Sequence, residues 1–221
     1  MLRSKVAMYL SVGLLLVSLF MFVNSAVAAE IAAQAFGQKP VANVMGVQAQ
    51  IWTAQQPGGW YGLASPVGVC ATQSPCFGAF FETGYIKGTV TPVQNVLQQY
   101  AAWTDLQNNQ PINEYGLGFL SDNTWYTFAS IYDPAIPRWK AYRNGALVFT
   151  PPTLGNLTTN GQLASIGGEC GGVGCPMAVQ SASMKYKKSG SWFLYDWTVK
   201  QGNYCLAHTS YSYGSLSWGP C

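Results

Sequence analysis

The sequence predicts an all-β protein, an antiparallel β-sandwich or jelly roll of the concanavalin-like kind, and three observations predict it. Short apolar stretches alternate with polar residues at a period of two, as where Val47, Ala49 and Ile51 interleave with Gln48 and Gln50. Turn-forming residues interrupt these stretches repeatedly, among them Pro57-Gly58-Gly59, Asn144-Gly145, Pro151-Pro152, Asn160-Gly161 and Ser189-Gly190. No stretch carries the three-to-four spacing of an amphipathic helix. Strands of this kind bury one face each by packing two sheets together.

Taken in order, the chain opens with Arg3 and Lys5, an apolar run from Val6 to Val23, and the small-x-small triplet Ala26-Val27-Ala28. This is the pattern of a signal peptide over residues 1–28, removed on export. A retained anchor is the competing reading, since a run of about 18 residues is at the lower limit for crossing a bilayer. Cleavage leaves nine basic against eight acidic residues. The expected mature chain is secreted, nearly neutral and without a stable membrane anchor. It has no basic stripe to draw nucleic acid, and Lys185, Lys187 and Lys188 read as a solvated strand end. Residues 29–46, rich in Ala and Gln without periodicity, read as a short leader or flexible arm. Residues 47–221 read as a single domain, because a chain of 221 residues that is 49% hydrophobic and 9% charged supplies one sizeable core.

Within that domain the strand candidates after Val47 are Phe77 to Val90, Val96 to Thr104, Trp125 to Tyr132, Arg138 to Tyr142 and Ala146 to Thr150. Leu163 to Glu169, Met177 to Lys187, Ser191 to Lys200 and Ser210 to Trp218 follow. Asn144-Gly145 is the clearest two-residue hairpin turn. Asn156-Leu157-Thr158 is a glycosylation acceptor in a host that modifies exported proteins, and otherwise a surface loop.

All six cysteines follow the signal segment, which for an exported chain suggests disulfides rather than thiols or a metal site. Cys70/Cys76, Cys170/Cys175 and Cys205/Cys221 are the pairs nearest in sequence. Six cysteines allow fifteen connectivities, so local pairing is a preference set by the small cost of closing short loops. His208 is the lone histidine, which argues against zinc and against a Ser-His-Asp or Cys-His device. No metal and no cofactor is expected.

The candidate chemistry lies in two carboxylates. Glu82, in Phe80-Phe81-Glu82-Thr83-Gly84-Tyr85, and Glu169, in Ile166-Gly167-Gly168-Glu169, each interrupt an apolar or glycine-rich strand in a chain with eight acidic residues. Burying a charge there is costly unless it is used. At a period of two, Phe80, Glu82 and Gly84 share one face while Phe81 and Tyr85 point the other way. Leu163, Ser165, Gly167 and Glu169 likewise share a face. Small residues beside both carboxylates leave room for another chain, although glycines also mark bulges and sheet bends.

These residues carry a resemblance. Glu82-Thr83-Gly84-Tyr85, then Ala102-Trp103-Thr104 at an interval of 21 residues from Glu82 to Trp103, then Ile166-Gly167-Gly168-Glu169, resemble the order of motifs in the glutamic peptidases of the neprosin type. The eqolisin-type family is a second parallel, with Gln-Thr-Gly at the place of Glu82-Thr83-Gly84. Tyr85 and Ile166 stand where the neprosin pattern has tryptophan. The resemblance implies a β-sandwich endopeptidase with Glu169 as general base, Glu82 as its acid-side partner and Trp103 in the cleft. Gly84, Tyr85, Gly167 and Gly168 would line the substrate site, and the neprosin type implies a preference for cutting after proline.

Two carboxyls close together share a proton and titrate as a pair, so one can activate water while the other, protonated, polarises the scissile carbonyl. Activity in acid and loss toward neutrality follow. The expected partner is a polypeptide substrate. The rival expectation is a lectin-like module stacking a glycan on aromatics among Trp52, Trp60, Tyr61, Trp125, Tyr211, Tyr213 and Trp218. A structural component of an extracellular coat is the third.

Overall fold

The computed structural model describes residues 31–53, 62–71, 79–90, 93–104, 113–151, 161–171, 179–195, 199–202, 205–210 and 215–219. All the regular structure among them is β-strand. The strands are β1 (Ile31–Trp52), β2 (Gly62–Cys70), β3 (Phe80–Val90), β4 (Val93–Thr104), β5 (Asn113–Phe119), β6 (Trp125–Asp133) and β7 (Arg138–Arg143). They continue as β8 (Ala146–Phe149), β9 (Gly161–Gly171), β10 (Val179–Lys188), β11 (Ser191–Leu194), β12 (Val199–Gly202), β13 (Cys205–Ser210) and β14 (Ser215–Gly219).

The architecture is the expected antiparallel sandwich. One layer runs β9-β2-β3-β4-β5, and the other holds β6, β7 and β8 beside β1, with β10, β14 and β13 on its far side. Strand β1 belongs to both layers. Its Gly46–Trp52 half lies between β6 and β10, while Ala35–Gln38 pairs with β12 and the strand also neighbours β9. The reading of residues 29–46 as a loose arm is therefore corrected from Ile31 onward. Val44 is fully buried, and the Oη of buried Tyr195 lies 2.7 Å from Gly37 O and 2.8 Å from Ala164 O, tying this segment to β9. Backbone pairing rather than a two-residue apolar rhythm holds the segment, so alternation did not reveal it.

Between the layers, Val67 and Val69 of β2, Phe81 and Tyr85 of β3, and Leu97 and Ala101 of β4 meet Val47, Ala49 and Ile51 of β1, Phe128 and Tyr132 of β6, and Trp139 of β7. Trp139 is the hub. Its ring is 6.0 Å from Phe81 and 5.7 Å from Tyr132, within the range of favourable aromatic pairing. Ser130 is buried with these residues and donates to Val67 O at 2.7 Å, so its hydroxyl is satisfied across the layers. Asn144-Gly145 forms the expected tight turn between β7 and β8, both residues at positive φ (50° and 82°), which suits the twist of paired strands.

Three strands were not expected, β2, β5 and β13. Gly62, Pro66 and Gly68 read as breakers, yet β2 is the inner strand between β3 and β9. The proline is accommodated because the β2–β9 ladder passes from Ala64↔Glu169 to Val67↔Ile166, skipping the residue that has no N–H to give. The stretch Ser191 to Lys200, expected as one strand, is two short ones paired to different partners, β11 to β10 and β12 to β1. Near the C-terminus β14 begins at Ser215, and β13 precedes it. Cys70 is disulfide-bonded. Cys76, Cys175 and Cys221, the signal segment, Asn156 and the aromatics Trp60, Tyr61, Tyr211 and Tyr213 lie outside the described residues.

Candidate active site

Alternation along β3 divides its residues between two environments. Phe81, Thr83 and Tyr85 are fully buried toward the core, whereas Glu82 is half-buried on the reverse face. On that reverse face Tyr100 and Ala102 of β4, with Phe80 and Ile86 of β3, form a separate small apolar cluster. Glu82 stands inside it. The Oη of Tyr100, a residue only 2% exposed, donates to Glu82 Oε1 at 2.9 Å. A bond to an ionised carboxylate is among the stronger hydrogen bonds, and it holds the side chain in one direction.

The register shows what flanks this carboxylate. Glu82 lies opposite Gly68 of β2 on one side and Ala102 of β4 on the other. Gly68 in turn faces Ser165 of β9, and Ala102 faces Glu114 of β5. One lateral row therefore reads Ser165, Gly68, Glu82, Ala102, Glu114. The glycine is required by space. A Cβ at Gly68 would come within 2.9 Å of Glu82 Cβ and 3.3 Å of Phe81 O. Partner positions directly opposite in antiparallel strands share a face, so the row has carboxylates at two sites with small residues between and beside them.

Glu169 occupies the same face. It pairs with Ala64, four residues along β2 from Gly68. Two strand spacings across and four residues along put its Cα about 16 Å from that of Glu82, against about 10 Å for Glu114. Gly84 and Gly167 also hold positions of this face. Three of the other residues expected to line the site do not. Tyr85 is fully buried in the core, Trp103 packs its ring 5.3 Å from Phe149 on the core side, and Gly168 holds a core-side position of β9. Each lies one residue from a site position, and alternation turns it away. Burial foremost, and then the charge of Asp122, push the Tyr85 phenol well above its ordinary range, so it stays protonated.

Glu114 was missed by sequence reasoning, because its strand was not expected. Desolvation holds its carboxyl above the ordinary glutamate range even though the residue keeps exposed surface. Nearby, a Cβ at Gly116, which lies opposite Tyr100, would come within 2.6 Å of Gln98 Oε1. The Gln98 amide thus occupies the space that this glycine leaves open. In β2, β3, β4, β5 and β9 no lysine, arginine or histidine occupies this face, while three of the eight acidic residues of the chain do. Among the described residues no group of three His, Cys, Asp or Glu could hold a metal ion.

The comparison with solved structures bears on the fold that carries this face. SCP-B, described as a member of the eqolisin family of peptidases in complex with the tripeptide Ala-Ile-His, matches with a TM-score of 0.54 at 12% identity, over 86% of this chain and 100% of that one. The chain is similar in fold to an eqolisin peptidase. A SAP-like pentraxin from Limulus polyphemus matches with a TM-score of 0.38 at 12% identity, over 68% of this chain and 70% of its own. A glycoside hydrolase family 16 endo-glucanase from Bacteroides ovatus gives 0.40 at 13% identity, over 60% and 57%. No protein-family model and no curated protein sequence matches. The aromatics of the glycan reading that are described by side chain, Trp52 and Trp125, are cross-strand neighbours with rings tilted by 54°, so they form no flat platform. No described helix is long and apolar enough to cross a membrane.

Proposed function

We propose that this protein is a secreted, acid-active endopeptidase in which Glu82 and a second carboxyl of the same sheet face activate water against a peptide bond. The observation that carries the reading is the seating of Glu82. It is half-buried beside a small-residue floor and fixed by the Tyr100 phenol, on a face whose described strands place three carboxylates and no cation there. The likeness to an eqolisin supports it at the level of fold.

Desolvation raises the Glu114 carboxyl on this face, so at acid pH one carboxyl remains protonated while another is ionised. The ionised member takes a proton from water as the oxygen attacks the carbonyl carbon. The protonated member hydrogen-bonds the oxygen on which negative charge develops. As pH rises both ionise, and the acid half of the device is lost. The small Ala102, between Glu82 and Glu114 in the lateral row, leaves room for an extended substrate strand above the sheet.

Hydrolysis of a denatured protein by the mature chain between pH 2 and 7, beside Glu82→Ala, tests the reading. Cleavage confined to acid and lost in the variant is the expected result. A folded wild-type chain that cleaves nothing across this range, or an unimpaired Glu82→Ala, overturns it.

A further inference from the structure

We infer that Glu114 is the carboxyl that works with Glu82, and that the Gln98 amide beside it is a substrate-positioning group for a peptide unit lying across Ala102. The inference rests on the peptidase reading and deepens it, replacing the residue that sequence resemblance puts in this role. Glu82 and Glu114 are the second neighbours of one lateral row, with only the Ala102 methyl between them. Their Cα separation of about 10 Å lets two upright glutamate side chains flank one substrate carbonyl and its attacking water. The backbone position of Glu169 lies four residues further along the face.

A second observation is independent of the carboxylates. Gln98 is only 7% exposed, and its side-chain amide has no hydrogen-bond partner among the described residues. It leans over Gly116, which adjoins both Tyr100 across the strands and Glu114 along its own strand. Neither of the Gln98 amide atoms is fully buried, so both stay open to water or to a ligand. An amide offers one acceptor and two donors, the complement of a peptide group that a bound substrate strand presents.

The two carboxyls have different surroundings, which divides their work. Glu82 accepts from the Tyr100 phenol, while Glu114 is desolvated by its neighbours. Among the described residues the further carboxylate at a position of this face is Glu169 on β9, and the strands of the face supply no cation. In the proposed cycle ionised Glu82 takes a proton from water as the new carbon–oxygen bond forms and the carbonyl π electrons move to oxygen. Protonated Glu114 then delivers its proton to the leaving nitrogen as the carbon–nitrogen bond breaks and the carbonyl re-forms. The products are a carboxylic acid and an amine. The proton on Glu82 returns to Glu114 through solvent when they leave, and no other reactant is needed.

The test combines two measurements on the mature chain and its Glu114→Gln, Glu169→Gln and Gln98→Leu variants. Carboxyl-carbon NMR follows the titration of Glu82 without substrate, and the pH profile of kcat and KM is taken on a denatured protein substrate. Expected are a Glu82 titration that moves in Glu114→Gln but not in Glu169→Gln, and a kcat lower by about 10²-fold in Glu114→Gln. Glu169→Gln retains cleavage, and Gln98→Leu raises KM with kcat nearly kept. A Glu114→Gln variant with unchanged titration and kcat, while Glu169→Gln loses both, overturns the inference. A wild-type chain that cleaves nothing removes the peptidase reading instead. In that case linked titration of Glu82 and Glu114 still supports the pair, and independent titration overturns it.

Discussion

Tyr100 donates its phenol proton to Glu82 across 2.9 Å, from β4 to β3, on the side of the sheet turned away from the sandwich core. Removing the hydroxyl while keeping the ring separates positioning from packing. Tyr100→Phe is expected to fold, to lose about 1 kcal/mol in urea denaturation at pH 7, and to lower kcat more than it raises KM. An unchanged pH profile and kcat would show that the bond does not position the carboxylate for chemistry.

Gly68 tests the floor of the site. A methyl there meets Glu82 Cβ at 2.9 Å and a backbone oxygen at 3.3 Å, neither of which is the free end of a flexible side chain. Gly68→Ala is expected to cost about 1–3 kcal/mol by overpacking and to displace Glu82, with cleavage falling further than stability does. Thermal unfolding and a single-turnover assay on the same sample check both halves.

Glu114 makes stability depend on pH in an uncommon direction for a carboxylate. Desolvation raises its folded-state value above the unfolded one. The folded protein therefore keeps its full stability below the ordinary glutamate value and loses some as pH rises through the raised one. Glu114→Gln should match wild type in strong acid and exceed it in melting temperature above that window. A variant that is no more stable than wild type at neutral pH would contradict the assignment.

The opposite sign belongs to Asp133 at the end of β6. The hydrogen bond from Lys140 first, with that from the Ala135 amide, lowers its value, and Lys140 Nζ lies 2.6 Å from Oδ2. The stability this contributes is present above the ordinary aspartate value and is lost as pH falls through the lowered one. Asp133→Asn should melt below wild type at neutral pH and converge with it in strong acid. Melting curves at several pH values decide this.

Trp139 measures how far the two layers depend on one another. It is fully buried between Phe81 of one layer and Tyr132 of the other, so Trp139→Ala removes contacts on both sides. A loss of about 3–5 kcal/mol in denaturant unfolding is expected, with one cooperative transition weakened as a whole. Loss confined to one probe of unfolding would show that the layers separate.

The sequence by itself determined the class of fold, the hairpin at Asn144-Gly145 and the direction of Glu82. All three are local. A period of two separates Phe81 and Tyr85 from Glu82 wherever the strand lies, and Asn-Gly takes positive φ at little cost. What only the tertiary structure decided was which residues stand beside Glu82. That depends on register between strands distant in sequence, and nothing in Asn113-Glu114-Tyr115 announces that it pairs with Ala102. The same register made the broken-looking Gly62–Cys70 segment the inner strand of the site and drew residues 31–46 into the sandwich. Backbone hydrogen bonding carries no side-chain signature, so a strand held mainly by its neighbours is read only once those neighbours are in place.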